Sequence, residues 1–330
     1  MGRRQNAEHG SPAHGHPPGW TADVDRLRRR PHRRLHDQTG RVVPGRVRGI
    51  RWRESRMNTI VIAEIGENHY GRWDLCRGMV ERVAASGATY AKFQTYTANQ
   101  FGTDHPWYEE FKGVEMPEDV HFEMQSLCKQ LGVGFLSSTF TQRSTRFLVD
   151  RMGLDTLKLA SSRVTDLELL NDVNQRADQV KTVFLSTGMA TLEEVRVAVD
   201  HLDGIDDLTI LHCTSQYPTA DENVNLRAVT TLQQALPDLR VGYSDHSRGP
   251  QACLAAVALG AEVIEKHFTY HTGMPGDDHA GAATPGMLAD LVAQIDRLER
   301  MLGSAEVGRS PAEERAAQAL RVEMLEVDFD

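Results

Sequence analysis

The sequence predicts a (β/α)8 TIM barrel preceded by a disordered basic N-terminal arm, and three observations carry that prediction. From residue 58 onward, short runs rich in leucine and β-branched residues alternate with amphipathic stretches of helical period. Most of the runs are nearly continuous in hydrophobicity, as parallel strands buried on both faces are. Eight such strand–helix units fit into about 245 residues, which favours a closed barrel over a doubly wound open sheet.

In chain order the expected strands are "TIVIAEIG" (59–66), "YAKFQ" (90–94), "GFLSST" (134–139), "TLKLAS" (156–161), "TVFLST" (182–187), "LTILHC" (208–213), "VGYSD" (241–245) and "VIEKHF" (263–268). Between the first two, "DLCRGMVERVAASG" sets Leu75, Met79, Val80 and Val83 on one helical face and stops at Gly87. After the fifth, "TLEEVRVAVDHL" opens with Thr191 and carries Glu194 three residues on, the spacing of a capping box. "TPGMLADLVAQIDRLERMLG" supplies a last long helix closed by Gly303. The barrel is therefore expected over 57–305, with 1–56 as the arm and 306–330 as a C-terminal tail.

Bulk properties exclude several classes. A hydrophobic content of 40% and a charged content of 25% are those of a soluble globular chain. No apolar run approaches the roughly 18 residues that span a bilayer, and no signal-peptide pattern opens the chain. Cys76, Cys128, Cys213 and Cys253 lie far apart without a CxxC pair, which argues against disulfides and thiolate zinc and suits a reducing cytoplasm. Residues 1–56 carry fourteen Arg against five acids, a balance of +9, so the remainder carries −18 of the net −9. Such an arm can grip nucleic acid or anionic lipid. Its Pro, Gly and His content, its lack of apolar period and its end just before Met57, a candidate start, favour a dispensable leader or tail. No nucleic-acid or membrane partner is expected.

In barrels of this kind the chemistry sits at the carboxyl ends of the strands. Those ends carry Glu64; Lys92 and Gln94; Ser137, Ser138 and Thr139; Lys158 and Ser161; Ser186 and Thr187; His212, Thr214 and Ser215; Ser244, Asp245 and His246; and Glu265, Lys266 and His267. The barrel is expected to bring them to one mouth. His246 and His267 end adjacent strands, where neutral imidazoles can share a divalent metal and leave positions open for substrate or water. Either histidine alone reads better as a polar rim residue; the pair beside carboxylates favours the metal. Lys92 and Lys158, with Ser138, Ser161, Ser186 and Ser244, suit phosphate and carboxylate oxygens, because an ammonium in an apolar strand is costly unless an anion meets it. Glu64 can ligate metal, orient a water or act as a general base, or else pair with a barrel lysine. Asn68 and His69 are expected to shape the rim, and the loop 273–285, with Asp278 and His279, either covers the site or is a plain flexible loop. His212 and Cys213 make no nucleophile–base pair, since adjacent strand residues face opposite ways.

Taken together, the blocks "AEIGENHYG", "AKFQ", "KLAS", "LSTGMAT", "HCTSQYPTADENVNLRA", "VGYSDHS", "GAEVIEKHFT" and "PGDDH" closely resemble the sialic acid (N-acetylneuraminate) synthase family, the phosphoenolpyruvate-dependent synthases of nonulosonic acids. The likeness runs from about Ile60 to Gly303. It implies a Mn²⁺- or Mg²⁺-dependent condensation of phosphoenolpyruvate with an open-chain aldehyde sugar, N-acetylmannosamine or a relative. It implies metal ligation by His246 and His267, and catalytic roles for Glu64, Lys92 and Lys158. By the same likeness Ser138, Ser161, Ser186, Ser215 and Ser244 hold phosphoenolpyruvate with the lysines, Gln94 belongs to the substrate-binding set, and Tyr217 and Asp278 fall on the sugar side. A homodimer is the family's usual assembly.

Three departures bear on the acceptor. Members usually carry "SGE" where this chain has Ser161-Ser162-Arg163, which reverses a charge beside the expected sugar pocket. The serine usual after "PGPDHK" is Ala282, and the proline of that motif is Asp277. Most members also have a C-terminal antifreeze-like domain, for which the sequence up to Asp330 leaves no room. An acceptor other than plain N-acetylmannosamine, or a separate cap chain, is therefore expected. Two other readings stay open at this point: a metal-dependent barrel aldolase or isomerase that does not use phosphoenolpyruvate, and a catalytically inactive binding homologue.

Overall fold

Eight parallel strands close on themselves in chain order. The structure is a computed structural model and describes residues 59–321. The expectations for the arm (1–56), for a start at Met57 and for residues 322–330 lie outside the described residues. The strands are β1 (Ile60–Glu64), β2 (Tyr90–Thr95), β3 (Gly134–Thr139), β4 (Thr156–Leu159), β5 (Thr182–Ser186), β6 (Asp207–Cys213), β7 (Arg240–Asp245) and β8 (Val263–His267). Closure is made by β1 on β8, from Ile60 beside Val263 to Glu64 beside His267.

The outer layer consists of α1 (Trp73–Ser86), α2 (Tyr108–Val114), α3 (Glu118–Leu131), α4 (Gln142–Arg146), α5 (Leu167–Asn174), α6 (Leu192–Asp200), α7 (Arg227–Ala235), α8 (Gln251–Ala258) and α9 (Pro285–Leu302). A further helix, α10 (Pro311–Leu320), lies in the expected tail; it is capped by Ser310 and Glu313 and buries no residue. In α1 the buried face is Cys76, Met79, Val80 and Val83, so Cys76 occupies the place expected of Leu75. Gly87 closes that helix at φ +82°, a left-handed conformation that glycine adopts at little cost. The Thr191–Glu194 capping box forms as expected.

Side-chain alternation divides the interior in two. Outward residues such as Val61, Ala63, Phe93, Val183 and Ile264 pack against the helices in one large core. Inward residues Ile62, Leu136, Phe184, Leu211 and Val263 fill the lower barrel in a second, small one. Gly242 is required in that inner layer, because a Cβ there would stand 2.5 Å from the Val263 carbonyl oxygen and 2.6 Å from Leu211 Cδ2. Above this apolar plug the inward positions become polar, and there the site begins.

One polar network belongs to the frame. Lys266 Nζ donates to Asp245 Oδ2 at 2.6 Å, and Tyr243, Ser247 and Cys253 also donate to that carboxylate. Lys266 and Asp245 are 1% and 0% exposed, so removing either leaves a buried charge without its counterpart. Lys266→Met is expected to lower unfolding free energy by about 3–5 kcal/mol, measured by chemical denaturation. An undiminished stability would contradict this reading. Among the described residues no helix is long and apolar enough to cross a membrane.

Candidate active site

Alternation also decides which strand ends reach the mouth. Glu64, Lys92, Gln94, Ser138, Lys158, Ser186, Cys213, Ser244, His246, Glu265 and His267 line one cleft, together with Phe140, Ala160, Ser161 and Tyr217. Eleven of the thirteen residues expected in the site are among them. The other two are one contact away: Ser215 Oγ is 2.9 Å from Ser161 Oγ, and Asp278 Oδ2 is 2.8 Å from His267 Nδ1.

The expectation that every strand-end polar group converges there is corrected. Ser137 turns to Thr95 Oγ1 and Thr139 to Ser144 and Thr145. Thr187 and His212 donate to backbone carbonyls, and Asp245 and Lys266 form the frame network just described. Neighbours along a strand point to opposite faces, so only every second residue can enter the barrel. Asn68 and His69 are buried braces: Asn68 Nδ2 donates to the Phe268 carbonyl, and His69 Nδ1 accepts from the Gly71 amide.

At the floor, each lysine meets acids of the protein itself. Lys92 Nζ lies 2.6 Å from Glu64 Oε2 and 3.6 Å from Glu265 Oε2. Burial opposes its charge, but Glu265 and Glu64 outweigh burial and its pKa is raised. Lys158 Nζ donates to Ser186 Oγ at 2.7 Å and to the Leu159 carbonyl, and stands 3.8 Å from Glu265 Oε1. Burial dominates there and lowers its pKa. Glu265 also accepts from Ser244 Oγ at 2.8 Å. Burial works against its charge, yet Lys158 and then Lys92 hold the carboxyl down to about 2. Glu64 goes the other way: burial pushes its carboxyl up despite Lys92. Of the two acids Glu64 is thus the more easily protonated, the property of a group that exchanges protons. The lysines are less open to an anion than their sequence context suggests, because Glu265 stands between them. The signal available is the step of two from His267, which faces Glu265 the same way.

The two imidazoles meet as expected, with ring centroids 5.1 Å apart. His246 Nδ1 donates to the Thr214 carbonyl at 2.6 Å, which leaves Nε2 with its lone pair. Burial lowers the His246 pKa to about 4, so this ring is neutral. His267 Nδ1 contacts Asp278; burial opposes protonation, but that carboxylate outweighs it and the pKa is raised. Among the described residues no three His, Cys, Asp or Glu stand together in a metal-holding group. The pair still fits a cation bound through two protein nitrogens, since each Nδ1 is occupied by an outer partner and each Nε2 is left for a ligand. Tyr217 packs on His246 at 4.2 Å and remains 42% exposed, forming the outer edge of the cleft. Arg163, in place of the usual acid, does not line the cleft; its Nη1 reaches Asp166 at 3.4 Å, the N-cap of α5.

A barrel with this mouth has relatives of known activity. The NeuB family profile matches residues 79–307. The N,N'-diacetyllegionaminic acid synthase of Legionella pneumophila is 36% identical over 79% of this chain and 78% of its own. The N-acetylneuraminate-9-phosphate synthase of Homo sapiens is 31% identical over 80% and 76%. Among solved structures, the N-acetylneuraminic acid synthetase of Leptospira borgpetersenii, crystallised with citrate, superposes with a TM-score of 0.74 at 30% identity, covering 80% of this chain and 93% of that one. The chain belongs to the NeuB family and, like these relatives, is a synthase.

Proposed function

We propose that the protein condenses phosphoenolpyruvate with an open-chain aldehyde sugar, giving a 3-deoxy-2-ulosonic acid of the nonulosonic type and phosphate. One observation supports this most directly: two buried amines and two facing imidazoles line a single cleft on the barrel's carboxyl face. C3 of the enol forms the new bond to the aldehyde carbon. Water adds at C2, the C2–O bond to phosphate breaks, and inorganic phosphate leaves with that electron pair. Lys158 and Ser186 hold an anionic end of phosphoenolpyruvate, with Ser138, Ser161, Ser215 and Ser244 completing the oxygen contacts. Lys92 holds Glu64 and Glu265 in register and offsets charge as it shifts. Gln94 orients Glu64 through Oε1 at 3.0 Å, and Glu64 takes the proton of the attacking water. His246 and His267 would hold a divalent cation, Mn²⁺ or Mg²⁺, which when bound would supply Lewis-acid polarisation of the aldehyde oxygen. Asp278 fixes His267, and Tyr217 walls the acceptor.

The name of the Legionella relative suggests an acceptor that carries two acetamido groups. Under the same reading the enzyme works in the cytoplasm, and the exposed Tyr217 edge is where a second copy or a cap chain would close over the sugar.

A coupled phosphate-release screen tests the proposal, with phosphoenolpyruvate, Mn²⁺ or Mg²⁺, N-acetylmannosamine, a 6-deoxy diacetamido relative, pentoses and nucleoside aldehydes. Release with at least one sugar is expected; none with any aldehyde would favour the aldolase or isomerase reading. Dialysis against a chelator is expected to abolish turnover, and His246→Ala to lower kcat/KM at least about 10²-fold in saturating Mn²⁺. Full activity in the chelated enzyme would remove the metal from the account.

A further inference from the structure

Glu67 follows β1 three residues after the floor acid Glu64, close enough to interact with it and with Asp278, and no part of the mechanism uses it. Its neighbour Gly66, at φ +51°, presses so close to Glu64 that a Cβ there would lie 3.1 Å from Oε1. That tight turn carries the half-buried Glu67 side chain toward Glu64, Asp278 and His267; burial, then Asp278 and Glu64, push its carboxyl up, while the Tyr96 hydrogen bond and His267 oppose the rise. Tyr96 then fastens it: the phenol donates to Glu67 Oε1 at 2.5 Å. Tyr96 is itself 5% exposed and held edge-on by Phe101, Phe111 and Phe140, at 5.3, 5.8 and 5.6 Å. Phe140 is also a wall of the cleft. A carboxylate that is immobilised by a caged phenol and, among the described residues, pairs with no lysine or arginine is poorly explained as a surface charge. Among the described residues its second oxygen, Oε2, accepts no hydrogen bond from the protein and is not sealed from solvent.

The charge layout of the mouth is uneven. The amines lining the cleft, Lys92 and Lys158, are 3% and 2% exposed and lie at the floor. Arg163 is engaged with Asp166. The β1–β8 side of the rim presents Glu67 and Asp278. In the reaction proposed above, a sugar whose aldehyde is held near the imidazoles would extend its far end toward these carboxylates.

We propose that Glu67, pinned by Tyr96, is a specificity-determining residue that selects uncharged acceptors. Its free oxygen accepts from a hydroxyl or amide N–H on the distal part of the sugar, and its charge repels a distal phosphate. This rests on the condensation proposed above. Rejection by like charge is an efficient way to discriminate between substrates that share the reacting end.

The test compares a neutral acceptor with its distal phosphate ester, following formation of the ulosonic acid in the wild type, Glu67→Gln and Tyr96→Phe enzymes. The wild type is expected to prefer the neutral sugar. Glu67→Gln keeps the shape and the Tyr96 contact, and is expected to shrink the preference at least about tenfold while KM for phosphoenolpyruvate stays within about twofold. Tyr96→Phe keeps the charge and is expected to raise KM for the neutral sugar but retain the rejection. A wild-type preference unmoved by Glu67→Gln would overturn the assignment alone. A wild type that makes no ulosonic acid from any acceptor would overturn the underlying reaction, and the assignment with it.

Discussion

Replacing Lys158 by methionine is expected to lower kcat/KM for phosphoenolpyruvate about 10³-fold and, because Lys158 is the first charge holding the buried Glu265 carboxyl down, to lower unfolding free energy by about 1–3 kcal/mol. Lys158 Nζ is spent on one hydroxyl and one carbonyl and lies 3.8 Å from the nearest acid oxygen. Burial lowers its pKa although Glu265 opposes that, so its charge is only partly compensated until an anion enters. Glu265, the acid it leaves behind, keeps Ser244 at 2.8 Å and Lys92 at 3.6 Å. The larger loss should therefore fall on catalysis. Steady-state kinetics beside denaturant titration decide the matter, and near-normal turnover would remove Lys158 from the anion site.

Lys92→Met is expected to behave differently although both lysines line the barrel floor. Its amine is the cation between Glu64 at 2.6 Å and Glu265 at 3.6 Å, all three almost wholly buried. Removing one partner of such a group leaves uncompensated charge in a low dielectric, so unfolding free energy should fall by about 3–5 kcal/mol together with loss of activity. The second substitution Glu64→Gln in that background removes one stranded acid and should recover part of the stability with none of the activity. Independent, additive effects of the two changes would mean that the pair is not coupled and that the floor has been misread.

Much of the fold is legible in the chain itself. Each strand falls within two residues of its expected span, because continuous apolar runs between turn signals are a local property of the sequence. The site is legible as a set of residues for a related reason: His246, His267, Lys92, Lys158 and Glu64 stand at strand ends, where a barrel needs no ionisable group for packing. The departures share one cause. Sequence position alone groups Lys266 and Asp245 with the mouth and gives Glu265 no role, although Glu265 is the acid between the lysines. It also gives no sign that Arg163, expected beside the sugar pocket, reaches Asp166 at the cap of α5. Each departure concerns where a side chain points or whom it meets.

Periodicity and the blocks at single strand ends are enough to specify the eight-unit barrel, the residues at its carboxyl face and the family. None of the three requires knowing which distant residues touch. Only the closed barrel establishes that Glu265 bridges two lysines, that Glu64 is pushed toward protonation, and that Tyr96 pins Glu67 at the rim. Those outcomes depend on barrel register and on burial. Both arise from contacts between strands far apart in the chain, where the removal of water turns a list of charges into a particular arrangement of proton affinities.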